Sequence, residues 1–460
     1  MLKAIFKDKE IRIFFIVAML IGIAMSFIIS PWQIPDEQTH LYYIGGAIKC
    51  EEYDLRIEQS LGMDKRRVEW IPTEKTDWDQ FVHALTKQPD YEVSEMLPKG
   101  FSPYAIRYLP AIIGMELAVV FQLPTLWVLQ FGELFALLFY VFVCSAALKL
   151  CPIKKPIMAI FMLAPMMMQG AGSLSYDAVA VPLLYWIICY VLHLRFEKED
   201  ITLKDMILLI LPWIWMSYIK VPYALVVLLG LMLPIRKFHV RLGKIEVNEA
   251  LIRKYRWIAL AVVIVLIGIV LYLLRENMFI QVLYGVVTEP GRIVYLLGYT
   301  LLTFYKHLLQ SSVGNFGWLN AAVYVEFAVV FYIIIFAITA LGKDNSKKTM
   351  TKWDRGVIWT TFLAMTLITV FSMIHHTVCN TYFWGDVANA TYDIREYLYK
   401  IPYIGGLQGR YFTPFISLFF VGFGSTEKMS KKVTTIVVGV FLILTYIYVF
   451  DILLNRFWIG

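Results

Sequence analysis

Long apolar runs separated by short basic loops set the pattern of this chain. The first run covers 11–30 and follows a start that carries Lys3, Lys7, Lys9 and Arg12. An α-helix needs ~20 apolar residues, at ~1.5 Å each, to cross a bilayer. Polar sequence dotted with aromatics and prolines then fills 31–103. Further runs at 125–148, 157–171, 177–194, 205–219, 221–235, 257–274, 323–341, 356–374, 411–424 and 433–453 read as spans. The pair 205–219 and 221–235 is short, with Lys220-Val-Pro222 between its members, and is expected to be tilted or broken. Arg107, Pro110 and Glu116 interrupt 104–121, which is expected along the outer surface as an amphipathic or re-entrant helix, a true span being the alternative. Residues 293–311 read as a second surface helix.

Charge orients this pattern. The model of about eleven spans gathers 25 of the 42 Lys and Arg into six short segments on one side, which is therefore the cytoplasmic side. The N-terminus then lies in the cytoplasm and the C-terminus outside. The expected fold is a single all-α polytopic membrane domain over 1–460, with a large first extracytoplasmic loop at 31–124 and a late one at 375–410. Composition agrees: 59% of residues are hydrophobic, above the ~45–50% of a soluble domain. The net charge of +7 sits in loops, and no basic or Arg/Gly-rich tail points to nucleic acid. No internal repeat of the secondary-transporter kind is visible. The first apolar run reads as an uncleaved anchor, because no small-x-small cleavage site follows it. Five cysteines form no CxxC; a Cys50–Cys379 disulfide is conceivable, since both map outside.

The same charge map sorts the polar residues that could carry chemistry. Asp36, Glu37 and His40 lie outside just after the first span, in Pro31-Trp-Gln-Ile-Pro-Asp-Glu-Gln-Thr-His40. Asp36 and His40 are four apart and would share a helix face. Ser173-Leu-Ser-Tyr-Asp177, Lys220, Gly314-Asn-Phe-Gly-Trp-Leu-Asn320, His375-His376 and Gly405-Gly-Leu-Gln-Gly-Arg-Tyr-Phe-Thr-Pro414 fall on that face too. Plainer readings stand beside these. Pro35 suits a first helical position and acidic residues a first turn. Asp177 or Ser175 could cap a helix, Lys220 could snorkel to headgroups, and Arg410 could anchor the interface. His375-His376 is too closely spaced for a helical metal pair. The Gly-rich run before Arg410 lacks the ending of a P-loop. The methionines Met166-Met-Met168 read as packing or lipid-facing.

One anchor, a large outer loop opening on an acidic pair, a second outer Asp and a lone Lys further on: this order resembles the GT-C superfamily of membrane glycosyltransferases that use lipid-phosphate-linked sugars. PDEQTH, the run Ala164–Asp177, GNFGWLN and GLQGRYFTP are more closely similar to a bacterial family of predicted membrane proteins of unassigned function, with PDE-x-x-H after its first helix and QGRY before a late one. The likeness covers nearly the whole chain, and the two motifs at its opposite ends are specific mainly in combination.

The resemblance implies a GT-C-like fold in a bacterial plasma membrane. It implies transfer of a sugar, with inversion, from a polyprenyl-phosphate donor to a cell-surface glycan or envelope polymer. Asp36 and Glu37 match the catalytic carboxylates, with Asp36 preferred as base. His40 and Asp177 would bind substrate, and Tyr104 and Trp318, with Trp32, Tyr42 and Tyr43, would stack on sugar faces. Lys220, Arg410, Gln408 and Tyr411 would hold the donor phosphate. The first loop has Asp-Glu where a DxD would hold metal, so no metal ligands are assigned and dependence on Mg2+ or Mn2+ stays open. The chemistry suits the residues: a carboxylate takes the acceptor proton and Arg meets the leaving phosphate. Two other classes remain: a transporter or flippase of lipid-linked glycans, which calls for charges at mid-membrane, and a non-catalytic partner in envelope assembly.

Overall fold

The computed structural model describes residues 7–29, 34–45, 47, 103–242, 245–343, 349–384 and 394–458. Trp32, Cys50 and most of the expected first loop lie outside the described residues, as do the Cys50–Cys379 pairing and the side chain of Tyr42. The chain is mostly helical. Its first half runs through α1 (Lys9–Ile28), α2 (Glu37–Gly45), a 3-10 turn (Pro103–Tyr108), α3 (Leu109–Val120), α4 (Thr125–Leu150), α5 (Lys155–Met162), α6 (Pro165–Ala171), α7 (Asp177–Phe196), α8 (Leu203–Ile219) and a 3-10 helix (Val221–Met232). A hairpin of β1 (Val240–Leu242) and β2 (Ile245–Val247) leads to α9 (Glu249–Leu273), α10 (Met278–Thr288) and α11 (Pro290–Val313). A second hairpin, β3 (Asn315–Phe316) with β4 (Ala321–Ala322), precedes α12 (Val325–Leu341), α13 (Lys352–Trp384), α14 (Ile394–Lys400), a 3-10 turn (Gly409–Tyr411), α15 (Thr413–Val421) and α16 (Lys431–Phe457).

Among the described residues, seven helical segments are long and apolar enough to cross a membrane: α1, Pro103–Val120, Leu126–Leu150 of α4, α7, α9, Lys352–Thr381 of α13, and α16. The expected count of eleven does not carry over to unbroken helices. The segment 104–121, expected at the surface, has the length and composition of a span and packs as a hairpin against α4. The run 157–171 is two short helices instead of one. Pro165 has no N–H to continue the ladder and forces Ala164 to an extended ψ of 139°. Two buried tyrosines serve the carbonyls freed there: Tyr140 donates to Met162 O at 2.9 Å and Tyr446 to Leu163 O at 2.6 Å. The run 221–235 is a 3-10 helix of 12 residues, and 411–424 holds a helix of only 9. The late loop expected from 375 begins as helix, since α13 continues to Trp384. The helix over 293–311 is longer, with a break in helical geometry at Phe304.

Helix α7 is the centre of the bundle, with 83% of its span buried inside the protein. It packs on α4 and α8, and its buried Tyr185 shares one core with Tyr140 and Phe161. Its C-terminal end is closed by basic side chains. Lys237 Nζ donates to the carbonyls of Leu194, Arg195 and Lys198 at 3.1, 2.8 and 2.6 Å, which the helix itself cannot pair. Arg195 grips Asp354 through two bonds of 2.9 and 3.2 Å. A capping box of Thr202 and Asp205 starts α8 at this same end. The opposite end of α7 begins with Asp177, and a second cluster of polar groups lines a pocket there.

Candidate active site

The pocket at that end is walled by the turn before α2, by α6, by the loop into α7 and by the 3-10 turn before α15. Its empty space, open mouth included, is about 670 Å3. Each wall has a local reason.

Asp36 stands directly before α2 with φ +66°, in the left-handed region. Pro35 is therefore part of a turn ahead of the helix instead of its first residue. An L-residue other than Gly, Asn or Asp rarely tolerates this φ, and the strain is on the order of 1 kcal/mol. The turn leaves Asp36 exposed at the pocket wall, while the His40 amide donates to Asp36 O at 3.0 Å. Asp36 and His40 both line the pocket, but Asp36 stands off the helix, so they do not meet there on the shared helix face that a spacing of four implies. Glu37 does not line it. It is buried and lies within electrostatic reach of Glu133 in α4.

His40 is enclosed by aromatic rings. Its Nδ1 is 2.8 Å from Tyr108 Oη, and its ring meets Tyr176 edge to face at 5.1 Å. Burial lowers its pKa from 6.5 to about 4, against the opposing pull of Asp36 and Asp177. The imidazole is thus neutral at physiological pH, and the Tyr108 hydroxyl, which can donate or accept, pairs with its Nδ1. Burial likewise raises the Tyr176 hydroxyl.

The loop into α7 is a chain of serine turns. Ser173 Oγ donates to Gly170 O at 3.0 Å, the Ser175 amide donates to Ser173 Oγ at 3.2 Å, and the Asp177 amide donates to Ser175 Oγ at 3.2 Å. Ser175 therefore does the capping, and Asp177 is free to reach across the bundle. Lys220, at the C-terminal end of α8, places Nζ 2.8 Å from Asp177 Oδ1. Rings of Tyr223, Tyr411 and Tyr176 surround the ammonium at 4.9, 5.4 and 5.8 Å. This is an enclosed ion pair, not a side chain snorkelling to headgroups.

Arg410 reaches the pocket because Gly409 lets its turn press on α11. A Cβ at position 409 would sit 2.0 Å from Leu308 O and 2.6 Å from Ser312 N, both backbone atoms. The Gly409 amide donates to Ser311 Oγ at 2.8 Å, and Thr413 Oγ1 donates to Ser312 O at 2.8 Å. Arg410 and Tyr411 line the pocket, and the buried Arg410 Nε has no hydrogen-bond partner among the described residues. Asp36, His40, Asp177, Arg410 and Tyr411 thus share one pocket, with Lys220 tied to it through Asp177.

Other expected residues lie elsewhere. Tyr104 is 47% exposed and packs with Tyr43 and Arg107 outside the pocket wall. Trp318 sits in the turn between β3 and β4, and Gln408 is buried two residues before Arg410; neither lines the pocket. His375 faces Cys379 Sγ at 3.4 Å on its own helix. No group of three His, Cys, Asp or Glu side chains among the described residues could hold a metal ion. Met166 and Met167 pack in the core, one of the two roles expected, and also form pocket wall, and Met166 Sδ accepts from the Asn315 backbone amide at 3.2 Å. That contact ties the GNFGWLN hairpin to the site. Gln169, Tyr108 and Tyr176 also belong to the site's surroundings. A lone amide inside an apolar Met-rich run is a signal that could have marked Gln169; nothing in the sequence marks Tyr108.

A family model described as Predicted membrane protein (DUF2142) matches residues 19–419. The chain belongs to the DUF2142 family of membrane proteins. The match takes in every pocket-lining residue of this DUF2142 protein, from Ile34 to Pro414. No curated protein and no solved structure matches the chain.

Proposed function

We propose that this protein is a GT-C-type membrane glycosyltransferase. It moves a sugar from a polyprenyl-phosphate donor to a cell-surface glycan or envelope polymer, on the outer face of a bacterial plasma membrane. The N-terminus is then cytoplasmic and the C-terminus outside. The observation that carries this reading is the pocket itself: a carboxylate at its wall, Asp36, together with an unpaired guanidinium N–H on Arg410. In the reaction the acceptor oxygen bonds to the anomeric carbon and gives its proton to Asp36. The bond from that carbon to the phosphate oxygen breaks, and the phosphate keeps the electron pair. Attack and departure on opposite faces invert the centre. Arg410 offers N–H donors to the leaving phosphate. Lys220 is already neutralised by Asp177, so its part is to set the field and hold the wall that carries Tyr176 and Tyr411. Asp36 is the pocket carboxylate with no cation bonded among the described residues; were a divalent cation needed, Asp36 would be the residue to hold it and the ion would supply charge for the leaving phosphate, a requirement that loss of transfer in EDTA would reveal.

The transporter reading has one observation in its favour. Glu133 is 3% exposed, about 12 Å into α4 by helical rise, and its Oε2 has no partner among the described residues. The two readings separate on one experiment. Protein in proteoliposomes, given a polyprenyl-phosphate-linked radiolabelled sugar and envelope acceptor on the same side, transfers label. Asp36→Asn loses about a hundredfold or more of that rate, and a deletion strain lacking one surface sugar is rescued by wild type alone. Asp36→Gly, which suits the left-handed backbone, keeps the wild-type melting temperature and still loses transfer. Full rescue by Asp36→Asn at normal protein level would remove Asp36 as base.

A further inference from the structure

Gln169 lies in the last turn of α6 and lines the pocket. It is only 3% exposed, yet neither its Nε2 nor its Oε1 has a hydrogen-bond partner among the described residues. Three polar neighbours in the pocket wall are already committed: Ser173 to Gly170, Ser175 to the Asp177 amide, Asp177 to Lys220. A buried amide left with both ends unpaired costs stability. Proteins keep such a group where a ligand completes it.

The chemistry of the amide narrows that ligand. Gln presents a donor and an acceptor side by side. A phosphate oxygen only accepts, and would leave Oε1 facing an anion. A cation would leave Nε2 facing positive charge. A hydroxyl both donates and accepts, and two neighbouring ring hydroxyls match both ends of the amide. We infer that Gln169 is the residue that reads the hydroxyl pattern of the sugar ring, while Arg410 takes the phosphate. This inference rests on the glycosyltransferase reading. The ring could belong to the donor sugar or to the acceptor glycan, and the chemistry of recognition is the same.

The test compares wild type, Gln169→Met and Gln169→Ala in nanodiscs. Binding is measured for a polyprenyl-phosphate-linked sugar and for the bare polyprenyl phosphate, and the acceptor KM is measured in the transfer assay. Wild type is expected to bind the sugar-linked lipid about tenfold or more tighter than the bare lipid phosphate, because a site built to hydrogen-bond hydroxyls penalises a ligand without them. If Gln169 reads the donor ring, Gln169→Met brings this ratio towards one and leaves bare-lipid affinity unchanged. If it reads the acceptor, the ratio holds and the acceptor KM rises by a similar factor. In both cases Gln169→Met melts at or above the wild-type temperature, since it removes unpaired polar atoms at similar volume. Ratio and KM both unmoved in Gln169→Met, whatever its melting temperature, overturn the inference and leave the proposed function standing. Wild type that binds neither lipid overturns both.

Discussion

Lys220 Nζ lies 2.8 Å from Asp177 Oδ1, joining the end of α8 to the start of α7. The two side chains are 13% and 28% exposed, and three tyrosine rings crowd the ammonium. An exposed pair contributes ~0–1 kcal/mol, whereas removing one partner of a buried pair costs ~3–5 kcal/mol. This pair stands between those limits. In a double-mutant cycle, Asp177→Asn and Lys220→Met should each destabilise by about 1–3 kcal/mol, and the double variant by less than their sum. Denaturation in detergent micelles reads the coupling. Strict additivity would mean that the pair does not hold α7 to α8.

Gly409 tests how Arg410 is placed. The missing Cβ is what lets the turn touch the α11 backbone at Leu308 and Ser312. Gly409→Ala must push the turn away, and should cost about 2 kcal/mol or more in stability. It should also weaken binding of the polyprenyl-phosphate donor, because Arg410 moves with the turn. A Gly409→Ala protein as stable as wild type would show that the turn has room to shift.

His40 gives a pH signature. Its folded pKa of about 4 lies below the ordinary 6.5 because burial penalises the imidazolium. As pH falls, the unfolded chain therefore binds this proton first. The contribution of His40 is full above pH ~6.5, declines by ~1.4 kcal/mol per unit through the interval down to about 4, and is lost below it, about 3 kcal/mol in all. The stability difference between wild type and His40→Gln should follow that slope between those limits. A difference independent of pH from 7 to 4 would mean that water reaches the ring.

Much of the site could be read from the sequence. The Lys and Arg bias put Asp36, Asp177, Lys220 and Arg410 at one end of the bundle, whereas the shared helix face expected of Asp36 and His40 does not form, because Asp36 stands before the helix in a left-handed turn. Neighbouring residues were harder. Glu37 follows Asp36 directly, but Asp36 sits in a left-handed turn while Glu37 opens the helix, and there Glu37 is buried within electrostatic reach of Glu133 instead of lining the pocket. Tyr104 and Trp318 looked apt for stacking on sugars, yet an aromatic on the correct face need not reach the pocket. Gln408 is two residues from Arg410 and does not line the wall. The helices show the same division. An apolar window reads 157–171 as one span because hydropathy does not register the backbone break that Pro165 imposes.

By itself the sequence determined the membrane class, the family and the end of the bundle where the polar groups collect. Those depend on local quantities: apolar run length, loop charge and the order of short motifs. Only the tertiary structure decided that Lys220 answers Asp177, that Gly409 brings Arg410 to the wall shared with Asp36, and that Gln169 is left unpaired there. Such choices depend on which helices pack together and how closely their backbones approach. Residues from both ends of the chain must first be brought side by side before their charges and hydrogen bonds can select partners.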